Sequence, residues 1–249
     1  MGGKPPQGVV RLAEHHIVTA FDDELKDLSR SVAEIGGLAE QLIDRAVTAL
    51  ARVDAEMAQA VIADDRKIDR RQREVEEKAI LLIARRQPLA RDLREIVAAL
   101  RIANDLERVG DLAKNIGKRV LALQGQLQPQ KLVHGVEHIA ALSLEQLKNV
   151  LDAYASRDVE QADAVWRRDN EVDALYTSLF RELLTYMMED PRNITLCTHL
   201  LFCAKNIERI GDHATNIAET VFYMIEGQQI LDKRPKGDTT TFANSPGNS

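Results

Sequence analysis

NDLERVGDLAKNI, residues 104–116, returns as KNIERIGDHATNI at residues 205–217, and this repetition decides the fold. Each copy places Glu and Asp four residues apart, with Gly immediately before the Asp. On a helix those acids share a face and repel by about 0.2–0.5 kcal/mol. A glycine inside a helix costs about 0.5–1 kcal/mol relative to alanine. A chain that carries both penalties twice, at matched positions, has a use for the arrangement.

Outward from the first copy, Ala99, Ile102, Leu106, Val109, Ala113, Ile116 and Val120 recur at spacings of three and four. Leu200, Cys203, Ile207, Ile210, Ala214, Ile217 and Val221 repeat the series at a constant offset. This is the apolar seam of helices packed side by side. Val61, Asp65, Ile68, Val75 and Ala79 likewise match Val165, Asp169, Val172, Leu179 and Leu183. Proline and glycine punctuate the chain at residues 1–8, at Pro88, at 125–130, at Pro191 and after 235. The periodic segments between them predict six long helices, near 22–52, 54–86, 89–124, 131–156, 158–189 and 192–227. Asp54 and Asp158 are placed to cap two of them. The expected fold is all-α: two tandem, pseudo-symmetric three-helix bundles made by duplication. The expected divisions are an N-terminal segment 1–21, a first bundle 22–127, a second bundle 128–230 and a disordered tail 231–249.

Composition narrows the function. Aromatic residues are only 4% of the chain, which favours helix over strand. A net charge of −6 argues against a general nucleic-acid binder. Cys197 and Cys203 lack metal or redox spacing and read as small core residues of a reducing compartment. No run approaches the ~20 apolar residues of a membrane span. The N-terminus has no signal-peptide core, so the expected location is cytoplasmic.

The acids form two kinds of pair. Projected on a helix, Glu107, Asp111 and Asn115 lie almost opposite the seam, as do Glu208, Asp212 and Asn216. They are expected on the outside of each bundle, away from the nearest helices. Such a strip is either a solvated face, with Lys114 and Lys118 as counter-charges, or a site where a hard cation gathers oxygen donors. Asp65 with Asp69, and Asp169 with Asp173, form the second kind. Asp65 and Asp169 fall where the seam wants an apolar residue, so each needs a hydrogen bond, a cation or a metal. A buried arginine pair and metal ligation both satisfy that need. Arg108 and Arg209 are also duplicated and could orient a carboxylate or contact a partner.

The twin ERxGDxxxN segments resemble the PhoU family, regulators of bacterial phosphate uptake. HHIVTAFDDELKDL at 15–28 and RQPLARDLREIVAALRIANDLERVGD at 86–111 are similar to that family as well. The resemblance spans about residues 14–227 and implies a pair of pseudo-twofold-related three-helix bundles. It implies metal ions or clusters (Fe, Zn, Mg or Mn) on E(D)xxxD motifs, here Glu107, Asp111, Glu208 and Asp212, with Asp65, Asp69, Asp169 and Asp173 as the earlier pairs. It also implies a cytoplasmic dimer or higher oligomer that reaches the membrane only through partners. Those partners are the ATPase of the phosphate ABC transporter, which it restrains, and a sensor histidine kinase. The halves are not identical: Lys118 becomes Glu219, and Asp92 and Arg94 have no counterparts. The second site is therefore expected to be the more acidic.

The leading expectation is a non-enzymatic adaptor. A carboxylate-bridged metalloenzyme and a metal-free helical adaptor are the alternatives. The former class supplies a Glu-x-x-His pair that is absent here. No nucleophile elbow or phosphate-cradling loop is present either. His213 adjoins Asp212 without a repeat and reads as a surface residue.

Overall fold

A computed structural model describes residues 7–124 and 130–230, with side chains from residue 20. Its α-helices are α1 (Gln7–Arg52), α2 (Ala55–Arg86), α3 (Ala90–Ala122), α4 (Gln130–Ser156), α5 (Val159–Arg167), α6 (Asp169–Glu189) and α7 (Ile194–Glu226). No strand occurs among the described residues. The all-α expectation holds, and α5 and α6 together make the fifth long helix. The expected tail 231–249 and the boundary between 127 and 128 lie outside the described residues. Helix α1 starts at Gln7 rather than near residue 22, because no proline or glycine follows Gly8 to stop it.

Every seam residue named above is buried, in both halves. Asp54 and Asp158 cap as expected: their carboxylates accept from the backbone N–H of Met57 at 2.9 Å and of Gln161 at 3.0 Å. Each half is an antiparallel bundle. In the first, Arg86 forks onto Glu24 and Arg45 meets Asp64 at 2.7 Å, tying α2 to α1 along its length.

Helices α3 and α7 join the halves. Arg101 lies over the Tyr223 ring, Arg119 over the Phe202 ring, and His213 Nδ1 sits 2.9 Å from Asp105. Early α3 thus meets late α7 and the reverse, which is the antiparallel pairing that a pseudo-twofold axis requires. His213 belongs to this junction and is half-buried, in contrast to the surface position expected for it. One continuous core runs through both bundles. Cys197 and Cys203 are buried in it, and burial pushes the Cys203 thiol up to about 12.

The fifth helix breaks at Arg168 because α4 inserts a side chain. The amide of buried Gln146 donates to the Arg168 carbonyl at 3.0 Å, and the same carbonyl accepts the Glu171 N–H at 3.0 Å in a tightened turn. In the first half, α2 runs unbroken. The break makes Asp169 the first residue of α6, at the positive end of a helix.

Candidate functional site: two carboxylate clusters

The first cluster lies between α2 and α3. Asp65 and Asp69 come from α2; Glu107, Asp111 and Lys114 come from α3. Asp65 takes a core position and is 2% exposed. Gly110 makes room for it: a Cβ there would stand 2.9 Å from Ile68 Cδ1 and 3.2 Å from Asp65 Oδ1. The Lys114 ammonium donates to Asp65 Oδ2 at 2.5 Å and also to Asp111 Oδ1. Asp65 Oδ1 is buried without a hydrogen-bond partner. Arg108 approaches Glu107 at 3.6 Å and Asp111 at 3.9 Å. Asn115 turns to the rim, where its oxygen accepts from Lys118 at 3.4 Å.

The second cluster lies between α6 and α7. Asp169 and Asp173 are both buried, and the Thr215 hydroxyl donates to Asp169 at 2.7 Å. Glu208 is 5% exposed. One of its oxygens accepts from Lys205 at 2.8 Å, while Oε2 is buried without a hydrogen-bond partner. The Lys205 ammonium also lies over the Tyr176 ring, 4.9 Å from its centre. Asp212 and Asn216 follow on α7, half-buried. The glycine is slacker here, since a Cβ on Gly211 would meet Val172 at an ordinary 3.4 Å. Gly211→Ala is therefore expected to stabilise by about 0.5–1 kcal/mol, the helix-interior cost of glycine. Gly110→Ala is expected to forfeit that gain by pushing on Ile68 and Asp65. Urea denaturation midpoints of the two variants check the contrast.

Burial and crowding weaken three of these acids, Asp65, Glu107 and Glu208. Burial raises the Asp65 carboxyl above its usual range, against the pull of Lys114. Burial raises Glu107, with the charges of Asp111, Asp69 and Asp65 adding to the effect. Burial raises Glu208, opposed by Lys205 and reinforced by Asp212 and Asp173. Burial opposes the charge on Lys114, but its bonds to Asp111 and Asp65 outweigh that and hold it protonated. A carboxyl held above its unfolded value binds its proton more tightly in the fold. Its stabilising contribution is complete below about pH 4 and fades as pH rises through the raised value. With a chelator present, the melting temperature is expected to climb as pH falls from neutral into the mildly acidic range. Asp64, lowered by hydrogen bonds from Lys67 and Arg45, withdraws its own contribution only below the ordinary carboxylate value. A Glu107→Gln/Glu208→Gln variant is expected to flatten the climb, as read by thermal melts across pH.

The structure changes the expected geometry in one respect. Glu107, Asp111 and Glu208 do not face outward opposite the seam; they line grooves against α2 and α6. A wheel drawn from one seam allows for one partner surface. Helix α3 packs on α1, α2 and α7, and α7 packs on α3, α4, α5 and α6, so little of either helix is left for water. The two kinds of acidic pair accordingly join into one cluster per half. Sequence reasoning missed Thr215 and Lys205 as members. Thr215 was legible as the match of Lys114, while the reach of Lys205 depends on helix register.

The donor chemistry fits a hard cation: carboxylate oxygens from two helices, with one buried, unpartnered oxygen in each half. Among the described residues, however, no three His, Cys, Asp or Glu side chains converge as a ready-made metal site. A lysine ammonium stands among the oxygens of each cluster instead.

Comparison with known proteins places this architecture. The PhoU domain model matches residues 32–120 and again 136–221, one match per bundle. A Rhizobium meliloti protein, named phosphate-specific transport system accessory protein PhoU homolog, is 61% identical over 230 residues. That alignment covers 92% of this chain and 97% of the relative. A Caulobacter vibrioides protein of the same name is 51% identical over 223 residues, covering 90% and 97%. The crystal structure of PhoU from Pseudomonas aeruginosa superposes with a TM-score of 0.80 at 38% identity, covering 84% of this chain and 100% of that one. A Streptococcus pneumoniae phosphate transport system regulatory protein PhoU gives 0.78 at 30% identity, covering 84% and 99%. With the domain matched twice, on the same duplicated bundles that carry the carboxylates, the chain belongs to the PhoU family.

Proposed function

We propose that this chain is a cytoplasmic accessory regulator of phosphate transport, restraining uptake and phosphate-starvation signalling when phosphate is plentiful. It acts as an adaptor between the ATPase subunit of a phosphate ABC transporter and a sensor histidine kinase, and works as a homodimer. The observation that carries this reading is the near end-to-end alignment, at 61% and 51% identity, with relatives named as phosphate-specific transport system accessory protein PhoU homologs. No helix among the described residues is long and apolar enough to cross a membrane. That accords with attachment to the membrane through partners.

In the same reading the two clusters are cation sites. Asp65, Asp69, Glu107 and Asp111 would serve the first; Asp169, Asp173, Glu208 and Asp212 would serve the second, with Asn115 and Asn216 at the rims. A bound divalent ion or iron would supply positive charge that cancels carboxylate repulsion and ties two helices together. The chain's own part is to hold the acids at register, in the first half through the close contact at Gly110.

A tagged copy of the protein, recovered from cells grown at high and at low phosphate, tests the adaptor. Transporter ATPase and kinase are expected to come down with it in phosphate-dependent amounts. Recovery of neither under both conditions would reject the reading.

A further inference from the structure

The duplicated motif repeats one residue that the clusters leave unused: the arginine after its Glu, Arg108 in the first half and Arg209 in the second. Arg108 is 58% exposed and stays 3.6 Å from Glu107 and 3.9 Å from Asp111, too far for a hydrogen bond. Arg209 is exposed, and among the described residues it forms no hydrogen bond or ion pair. At about 100° per residue, Arg101, Arg108 and Arg119 fall within about 20° of one another around α3. Arg101 lies over the Tyr223 ring at 5.5 Å and Arg119 over the Phe202 ring at 4.4 Å. The line of arginines therefore runs along the border with α7, the helix that carries Arg209. Among the described residues neither Arg101 nor Arg119 donates to an oxygen, so each guanidinium rests on a ring with its N–H edge unfilled. The acid nearest this strip, Asp105, is already held by His213 at 2.9 Å.

We propose that this strip, which crosses the junction of the two halves, docks an acidic protein surface, with Arg101, Arg108, Arg119 and Arg209 taking its carboxylates. The docking face rests on the adaptor reading above and belongs to one of that adaptor's partners. Four arginines without a hydrogen-bonded carboxylate stand out in a chain of net charge −6. A guanidinium laid on a ring has lost rotamer freedom before a partner arrives, and its planar fork of donors matches a carboxylate. Polyanions fit the strip less well. Glu107 and Asp111 flank it, half-buried, and the whole chain is acidic, so the continuous negative charge of a bilayer or a nucleic acid is repelled. Phe202, though 47% exposed, lies under Arg119 and offers a bilayer no free apolar anchor. A protein places its carboxylates singly, opposite the arginines and clear of the flanking acids.

The test is binding of the full chain to neutral-lipid nanodiscs that carry the whole transporter or the intact kinase, and to empty phosphatidylglycerol nanodiscs. Wild type is expected to bind at least one of the protein-bearing discs, more weakly as NaCl rises. Arg108→Gln/Arg209→Gln is expected to weaken that binding by about 30-fold or more, and Arg101→Gln/Arg119→Gln by a similar factor. Arg209→Gln alone serves if a double variant does not fold, with an expected loss of about tenfold. Arg30→Gln/Arg71→Gln removes the same charge from the α1–α2 side, where both arginines are ion-paired, and is expected to change affinity by less than about threefold. Unchanged affinity in the strip variants would overturn the proposal, as would an equal loss in the Arg30/Arg71 variant. Wild-type binding to empty phosphatidylglycerol discs as tight as to the protein-bearing ones would overturn it too, and would give the strip to the membrane. Wild-type binding to none of the discs would instead reject the adaptor reading, and the docking face with it.

Discussion

Lys114→Met is expected to cost about 3–5 kcal/mol of stability in metal-free protein, the range for stripping the partner from a buried charge. Asp65 would remain in the core with neither oxygen bonded, because Lys114 supplies the single hydrogen bond its carboxylate has. Protonation limits the loss. Burial already raises the Asp65 carboxyl, and removing the ammonium raises it further, so the penalty is expected to shrink as pH falls. Asp65→Asn in the Lys114→Met background removes the buried charge and is expected to recover much of the loss. Urea denaturation of the four members of this double-mutant cycle measures the coupling. A cost below about 1 kcal/mol, the value of an exposed pair, would show that water reaches Asp65 freely. Added Mn²⁺ is expected to stabilise Lys114→Thr more than wild type, since the ion would take the vacated place among the oxygens.

Leu106→Ala is expected to cost about 2–5 kcal/mol and to destabilise both halves together. Leu106 is fully buried on α3, the helix that packs on α1 and α2 of its own bundle and on α7 of the other. The apolar core is continuous across that junction. A cavity opened there weakens packing common to both bundles, so a single cooperative unfolding step is expected in wild type and variant alike. Calorimetry with a van't Hoff comparison reads this directly. Two separated transitions, only one of them moved by the substitution, would mean that the halves fold independently despite their shared core.

These two residues mark the limit of what the linear chain can say. Leu106, its match Ile207 and the rest of the seam were legible because helix burial repeats every three to four residues, and duplication printed the pattern twice. The caps at Asp54 and Asp158 were legible for a similar reason: each acts on backbone three residues away. The core placement of Asp65 and Asp169 also followed from periodicity, since an acid in an apolar series stands out. What periodicity could not supply was the neighbour across the groove. Asp65 meets Lys114, Asp169 meets Thr215, and Glu208 loses its exposure to α6, all through the register of one helix on another. The break at Arg168 depended on a glutamine from a different helix. Local spacing determined the helices, their buried faces and the doubling of the bundle. Tertiary packing alone decided which cation each carboxylate faces, because contacts between separate helices are set by side-chain volume at their crossings, Gly110 and Gly211 included, and leave no period in the sequence.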